Sequence, residues 1–428
     1  MKCFNQFAIR IICILQFIGG LSYSQEAYTL AELLNKAVQS HPTAQAKHLL
    51  DKLQSLQVKN IQTNFWPQAT IQAQATLQNE VSHFPIQLPN IIVQELAKDQ
   101  YRAIADIQQL IYDGGLVSNQ KKIVEAQSNV EQAKLEVEQY KIKEKVIQLV
   151  VQRHSIQAQL ETILLLGKDL KKNHDKVSAQ IKSGLMIQAA LYQLEVEMIK
   201  ADQKKTELNN YSKTLSDAIS ILTYYPILAN TKIIIPTNVE NILDNEDKRP
   251  ELKLFAAQEH WIAKSKTALF SKKMPRLSAF LQAGYGRPGL NVLSNSFDPI
   301  LLGGLRTQWS ISPFYTYKRE KEIWNLQSEQ IKIQKNSFDL QQNLNKTQFL
   351  NEISKLKLLI EQDQKIIELR EKIKNTAESQ LYSGVLTSAE FVRELNALDQ
   401  ARQMLILHQS QLTGTYILYH NSLSHDFR

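Results

Sequence analysis

The 428-residue chain has two cysteines, Cys3 and Cys13, and both fall within its first 24 residues. Once that segment is removed, neither disulfides nor thiol chemistry can belong to the remainder. Glycine and proline are sparse, at 13 and 11. That disfavours a sandwich of short strands and suits long uninterrupted helices. No apolar run approaches the ~20 residues a membrane-spanning helix needs, so any insertion into a bilayer must be made with strands. The nine histidines are scattered, without metal-ligand spacing, and there is no phosphate loop or nucleophile motif. His41 and His48 share a helical stretch with no carboxylate cluster. The chain reads as a non-enzyme with no cofactor and no metal. Large blocks of one charge are missing too: Lys and Glu are interleaved, which marks a solvated helical surface and not a nucleic-acid interface.

What is present begins with a targeting signal. Lys2 and Arg10 flank an apolar run at residues 11–18, followed by Gly19, Gly20, Ser22 and Ser24. This fits a secretory peptide over residues 1–24, and its loss lowers the formal net charge from +8 to +6. Neither cysteine stands where a lipidated residue would.

The rest is written twice. Pro42 and Pro67 are 25 residues apart, as are Pro250 and Pro275. Each pair brackets a helical stretch that runs into an alternating one, with proline in the first helical turn, where its missing N–H is harmless. A second alternating stretch follows in each half, at residues 101–112 and 301–311. Long helical stretches come next, interrupted by Ser-Gly at Gly184 and Gly384. Residues 25–225 form the first repeat and 250–428 the second. Residues 226–249, marked by Pro226 and Pro236, form a linker with little regular structure. Between residues 116 and 181 there is no proline and only Gly167. Ile123, Ala126, Val130, Ala133, Val137 and Tyr140 follow heptad spacing there, resuming at Ile147 and Val151, a stripe that requires partner helices.

The four alternating stretches share one rule: apolar residues at odd positions, polar or small ones at even positions. In residues 67–78, Ala69, Ile71, Ala73, Ala75 and Leu77 alternate with Gln68, Thr70, Gln72, Gln74 and Thr76. In the fourth, Leu301, Leu305, Trp309 and Ile311 oppose Arg306, Gln308 and Ser310. Aromatics gather near the ends: Trp66, Phe84, Tyr101, Tyr112, Tyr285, Trp309, Phe314 and Tyr315. Ten residues suffice to cross a bilayer as a tilted strand, and uncharged amides suit a wet lumen while the apolar face meets lipid. Four strands cannot close a barrel, and an open edge in lipid is prohibitive, so several copies must combine.

The duplicated halves, the prolines at Pro67 and Pro275, the strand exit LIYDGGLVSNQKKIVEAQ with Asp113, Gly114 and Gly115, and the two Ser-Gly turns resemble the TolC-type outer-membrane efflux proteins. Ser312, Pro313 and Phe314 make the weaker counterpart of the Asp-Gly-Gly junction. The resemblance implies a mainly α fold with a small β part. Long coiled-coil-like helices would form a periplasmic tunnel, and four transmembrane strands per chain would join a shared barrel in a homotrimer. It implies an outer-membrane location in a Gram-negative bacterium, extending into the periplasm. It further implies a passive exit duct for efflux or type I secretion, coupled to a periplasmic adaptor and an inner-membrane pump. Its adaptor contacts fall on Ser183, Gly184 and Leu185 and on Ser383, Gly384 and Val385. Its gate acids fall on Glu390 and on Arg393, where the opposite charge stands.

Other readings of the same residues stay open. A glycine between helices also serves as a left-handed C-cap. Glu390, after Thr387 and Ser388, is also the acidic partner of a capped helix start, and Arg393 three residues on could pair with it. A periplasmic adaptor or a coiled-coil structural protein would share the long helices, but not two strand pairs. Five methionines carry no metal-export signature, and the transported substrate is not written in the residues.

Overall fold

The computed structural model describes residues 27–81, 97–184, 186–236, 248–292 and 294–423. The signal at residues 1–24, Phe84 and Leu185 lie outside the described residues. In chain order the elements are β1 (Tyr28–Thr29), α1 (Leu30–Ser40), α2 (Thr43–Gln62), β2 (Gln68–Leu77), β3 (Asp99–Tyr112), α3 (Leu116–Lys182) and α4 (Gln188–Thr223). Then follow β4 (Ile233–Ile234), α5 (Pro250–Ser271), β5 (Arg276–Arg287), β6 (Asp298–Gln308), α6 (Ser312–Tyr382) and α7 (Ser388–Ser422). The fold is mainly helical, with two helices of 67 and 71 residues and a small antiparallel sheet. From α2 onward the order helix, strand, strand, long helix, helix occurs twice.

The described residues gather into two compact units, and each draws on both halves of the chain. One unit takes residues 45–137 and 250–340 and holds the sheet, in the order β2-β3-β5-β6. Here α5 packs against α3 through Asn119 and Ser271 (2.6 Å) and through Glu136 and Lys253 (3.0 Å). It meets α6 through T-shaped pairs, Trp261 with Trp324 and Phe255 with Phe338. The heptad stripe is borne out on α3. Ala126, Val130, Ala133 and Val137 are buried in this unit, and Tyr140 and Ile147 are buried in the other.

The second unit takes residues 1–44, 138–249 and 341–428. Its core sets Leu30, Leu33, Leu34 and Ala37 of α1 against Ile147 and Val150 of α3, Leu215 and Ile219 of α4, and Ile417 of α7. A capping box fixes the start of α1: Thr29 Oγ1 accepts from Glu32 N, and Glu32 Oε2 accepts from Thr29 N. The stretch read as an irregular linker is more ordered than that over its described part. β4 pairs in parallel with β1, and the Arg153 guanidinium, 1% exposed, donates to the carbonyls of Ala229 (3.0 Å) and Thr231 (2.7 Å). Ile227 and Ile233 are buried, so apolar anchoring and a buried cation hold the segment down.

Candidate functional site

Two features of the fold bear on function. The first is the sheet. In all three pairings, from Ile71↔Ala105 to Ile107↔Leu281 and Ala283↔Leu301, odd residues face odd and even face even. Cross-strand partners share a face, so the odd positions of four strands merge into one largely apolar surface, with the Asp99–Arg287 ion pair at one end and Gln109 and Thr307 toward the other. Ile71 is 86% exposed on it, and Leu305 69%. Gln68, Thr70, Gln72, Gln74, Thr76, Arg306 and Gln308 lie together on the other face.

Along β5 that even face is the more covered one. On β5 the odd residues Leu281, Ala283 and Tyr285 are exposed, whereas the even residues Gln282, Gly284 and Gly286 are covered. A Cβ on Gly284 would fall 2.2 Å from the Ala103 carbonyl oxygen, and one on Gly286 2.9 Å from that of Tyr101. Only glycine lets the β3 backbone come so close. The face is not uniformly polar, which corrects the simple alternation: Ile104, Phe280, Ile300 and Leu302 also stand on it. Glycines opposite Ile104, Ile300 and Phe280 leave gaps that these larger apolar groups fill, and the Phe280 ring covers Gly304; Leu302 stands opposite Gln282. Polar links run between them, Gln108 Nε2 to Ser278 Oγ (2.8 Å) and Gln282 Nε2 to Asp106 Oδ2 (3.0 Å).

The strand ends differ from expectation in one place. β6 stops at Gln308, so Trp309, Ser310 and Ile311 lie beyond it. The Phe314 N–H bonds the Ile311 carbonyl (3.0 Å), so the chain turns into α6 at Ser312 and Pro313 sits in its first turn. A bulge at Leu110/Tyr112 carries Tyr112 onto the face of Leu277. At the exit of β3, Asp113 accepts from the N–H groups of Gly115 (2.8 Å) and Val117 (2.6 Å) and so caps α3. Gly114 and Gly115 take φ of 70° and 82°, and a Cβ on Gly114 would strike Met274 at 2.1 Å. The Asp-Gly-Gly motif is thus explained: one residue caps, and two make a turn that a side chain could not follow. The outer edges of β2 and β6, ten and eleven residues long, have no strand beside them among the described residues.

The second feature is the pair of hairpin turns in the helical unit. Gly384 has φ 74°; its N–H bonds the Leu381 carbonyl (3.2 Å) and the Val385 N–H bonds that of Gln380 (2.9 Å), a Schellman cap. Gly184, φ 75°, likewise bonds Ile181 (3.0 Å). Each glycine therefore does serve as a left-handed C-cap. A Cβ at either would meet nothing within 4 Å. The turns are exposed, with Ser183 and Ser383 at the surface and Ile187 and Val385 each 74% exposed. Below them, Leu170, Val177, Leu194, Leu381, Phe391 and Leu395 form a compact core. Glu378 ties α6 to α3 there. Burial alone would raise its pKa, but bonds from Lys176 (2.8 Å) and Lys374 (2.9 Å) outweigh it and bring the value down to about 2.

The two turns continue differently. Thr387 and Glu390 form a full capping box, in which the Glu390 carboxylate accepts from Thr387 N (3.0 Å) and Oγ1 (2.7 Å). Those two bonds, with the charge of Arg393, hold its pKa below the usual carboxylate range. At the matching place in the first turn stands Ile187, with no side-chain cap. Arg393 is exposed, and its recorded ion pair is with Glu394 (3.6 Å), which Arg370 also holds (3.1 Å), and not with Glu390. Adjacent residues at a helix surface win here over the i,i+3 pair, because the Glu390 carboxylate is already turned back onto Thr387.

No protein-family model matches the chain, and no curated protein does. Solved structures do. The outer membrane protein VceC of Vibrio cholerae is similar with 12% identity over 93% of this chain and 97% of that one, at a TM-score of 0.68. The outer-membrane channel OprN is similar with 11% identity over 92% and 89%, at 0.65. The CmeC outer membrane channel of Campylobacter jejuni is similar with 11% identity over 96% and 91%, at 0.63. At such identities what is shared is the fold, across nearly the whole of each chain.

Proposed function

We propose that the chain is one subunit of a homotrimeric outer-membrane exit duct. β2, β3, β5 and β6 supply four strands to a common barrel, and the long helices supply a periplasmic tunnel. One observation carries this reading: the register gathers most apolar positions on one face and the amides on the other, and β2 and β6 have no strand on their outer edges among the described residues. Alternate strands are antiparallel, so β6 of one copy set beside β2 of the next continues the pattern. Such a head-to-tail contact closes by rotation and removes every edge. The likeness to outer-membrane channels supports the same conclusion. The duct is passive. Its turns, Ser183-Gly184-Leu185 and Ser383-Gly384-Val385, are the docking points for a periplasmic adaptor that connects an inner-membrane pump, and Glu390 and Arg393 stand at the constriction. Fractionation tests the core of the proposal. Trimers that run compactly on a gel until heated, found in the outer-membrane fraction, are expected; a soluble or inner-membrane protein would overturn it.

A further inference from the structure

Resting on that reading, we infer that Arg276 and Arg306 form a cationic ring on the lumen face that makes the duct favour anionic solutes. Both are even-numbered, exposed residues on consecutive rows: Arg276 lies opposite Gln308, and Arg306 opposite Ser278. The Arg306 guanidinium lies 4.6 Å from the centroid of the Phe280 ring, which supports it as a cation on an aromatic face. The ring in turn rests on Gly304, where a Cβ would come within 3.2 Å of it. Glycine there lets the ring lie along the sheet, and the ring holds the charge on the even face.

Acids do not cancel this charge. Among the described residues neither arginine has a carboxylate within ion-pair distance. Asp106 shares the face, but in the row of Gln282, whose amide it already holds. That row is two repeats away from Arg306, roughly 14 Å at strand spacing, beyond the ~8 Å Debye length of physiological salt. Asp298 is farther still, in the row of Gly286, which also holds Arg102. Asp113 lies one register step past Tyr112↔Leu277, near Arg276, but it is buried and turned onto the Gly115 and Val117 N–H groups. Each copy thus adds two guanidinium groups outside any ion pair among the described residues, on two adjoining rows, and threefold closure brings them together around one axis. In a wide, wet barrel such a ring acts by raising the local anion concentration, an effect that grows as salt falls.

The test is single-channel recording of purified trimers in planar bilayers across a dilute KCl gradient. Wild type is compared with the Arg276→Gln/Arg306→Gln double variant and with the Arg276→Lys/Arg306→Lys pair. Expected is a several-fold fall in the chloride-to-potassium permeability ratio for the glutamine pair and little change for the lysine pair. Block by tripolyphosphate should weaken in parallel, and gel-resistant trimers should persist in all three. A ratio unchanged in the glutamine pair, with channels of normal conductance, overturns the ring. If the glutamine pair fails to assemble, the single Arg306→Gln variant decides, with half the shift expected. Wild-type trimers that insert no conducting channel overturn the duct itself, and the ring with it.

Discussion

Asp399 on α7 is the clearest case of a residue whose surroundings work against its charge. Burial pushes its pKa up to about 6, against smaller opposing contributions from the Gln403 amide and Arg402; Asp169 adds the least to the rise. The folded value lies above the unfolded one of 3.8, so its contribution to stability is fully present below that pH. It is lost as pH rises through about 6. Asp399→Asn should therefore match wild type near pH 4 and exceed it at pH 8, by on the order of 1–2 kcal/mol after allowance for partial solvent exposure. Melting curves across that range check it, and parallel curves for the two proteins would sink the assignment. Glu390 offers the complementary test of charge without structure. Glutamine can fill the same place in a capping box, so Glu390→Gln should leave the melting temperature within about a degree. If the residue stands at the constriction, the variant should also shift permeability toward anions, opposite in sign to the arginine variants. An unmoved permeability would leave Glu390 as a helix cap alone.

The turns show what element-level reasoning can separate. Gly184 and Gly384 cap helices and are also the proposed docking points, and a bulky substitution would confuse the two roles. Because a Cβ at Gly384 meets open space, only backbone strain opposes a side chain there. Asparagine tolerates the left-handed region best after glycine. Gly384→Asn should therefore keep trimers at wild-type level, at a cost of about 1 kcal/mol or less. If the turn docks an adaptor, export should fall sharply all the same; trimers and export lost together would leave only the cap. The sequence showed these glycines and the helical stretches around them, whereas α1 and its Thr29–Glu32 capping box emerge only from the structure. The end of β6 was hidden because alternation runs on through Trp309 and Ile311 into residues that the helix claims. The apolar guests on the even face, Ile104 and Phe280, were legible as letters but not as a pattern. Their reason is the glycine opposite them, and only the cross-strand register brings the two together.

At the scale of the whole molecule, facing is the decisive matter. Two-residue alternation says that a strand has two faces and cannot say which meets lipid, since a soluble sheet alternates too. The proposed facing rests on the glycines: on the even side of β5 they let β3 approach closely, which suits the crowded inside of a barrel and puts the odd side outside. Ile71 sits near the middle of β2, in the row of Ala105, Ala283 and Leu301. An arginine there would face hydrocarbon near the bilayer centre at roughly 2–4 kcal/mol per strand, and threefold symmetry applies the cost in every copy. Ile71→Arg should therefore deplete heat-modifiable trimers from the outer membrane. Gln72→Arg, one residue on, points into the lumen, where water solvates it, and trimers should form at wild-type level with altered conductance. The two variants carry the same new charge on adjacent residues of one strand, so expression and strand propensity cannot explain a difference between them. Should Gln72→Arg block assembly while Ile71→Arg passes, the sheet closes with its odd face inward, and the lumen, its arginine ring and its amide lining all belong to the other side.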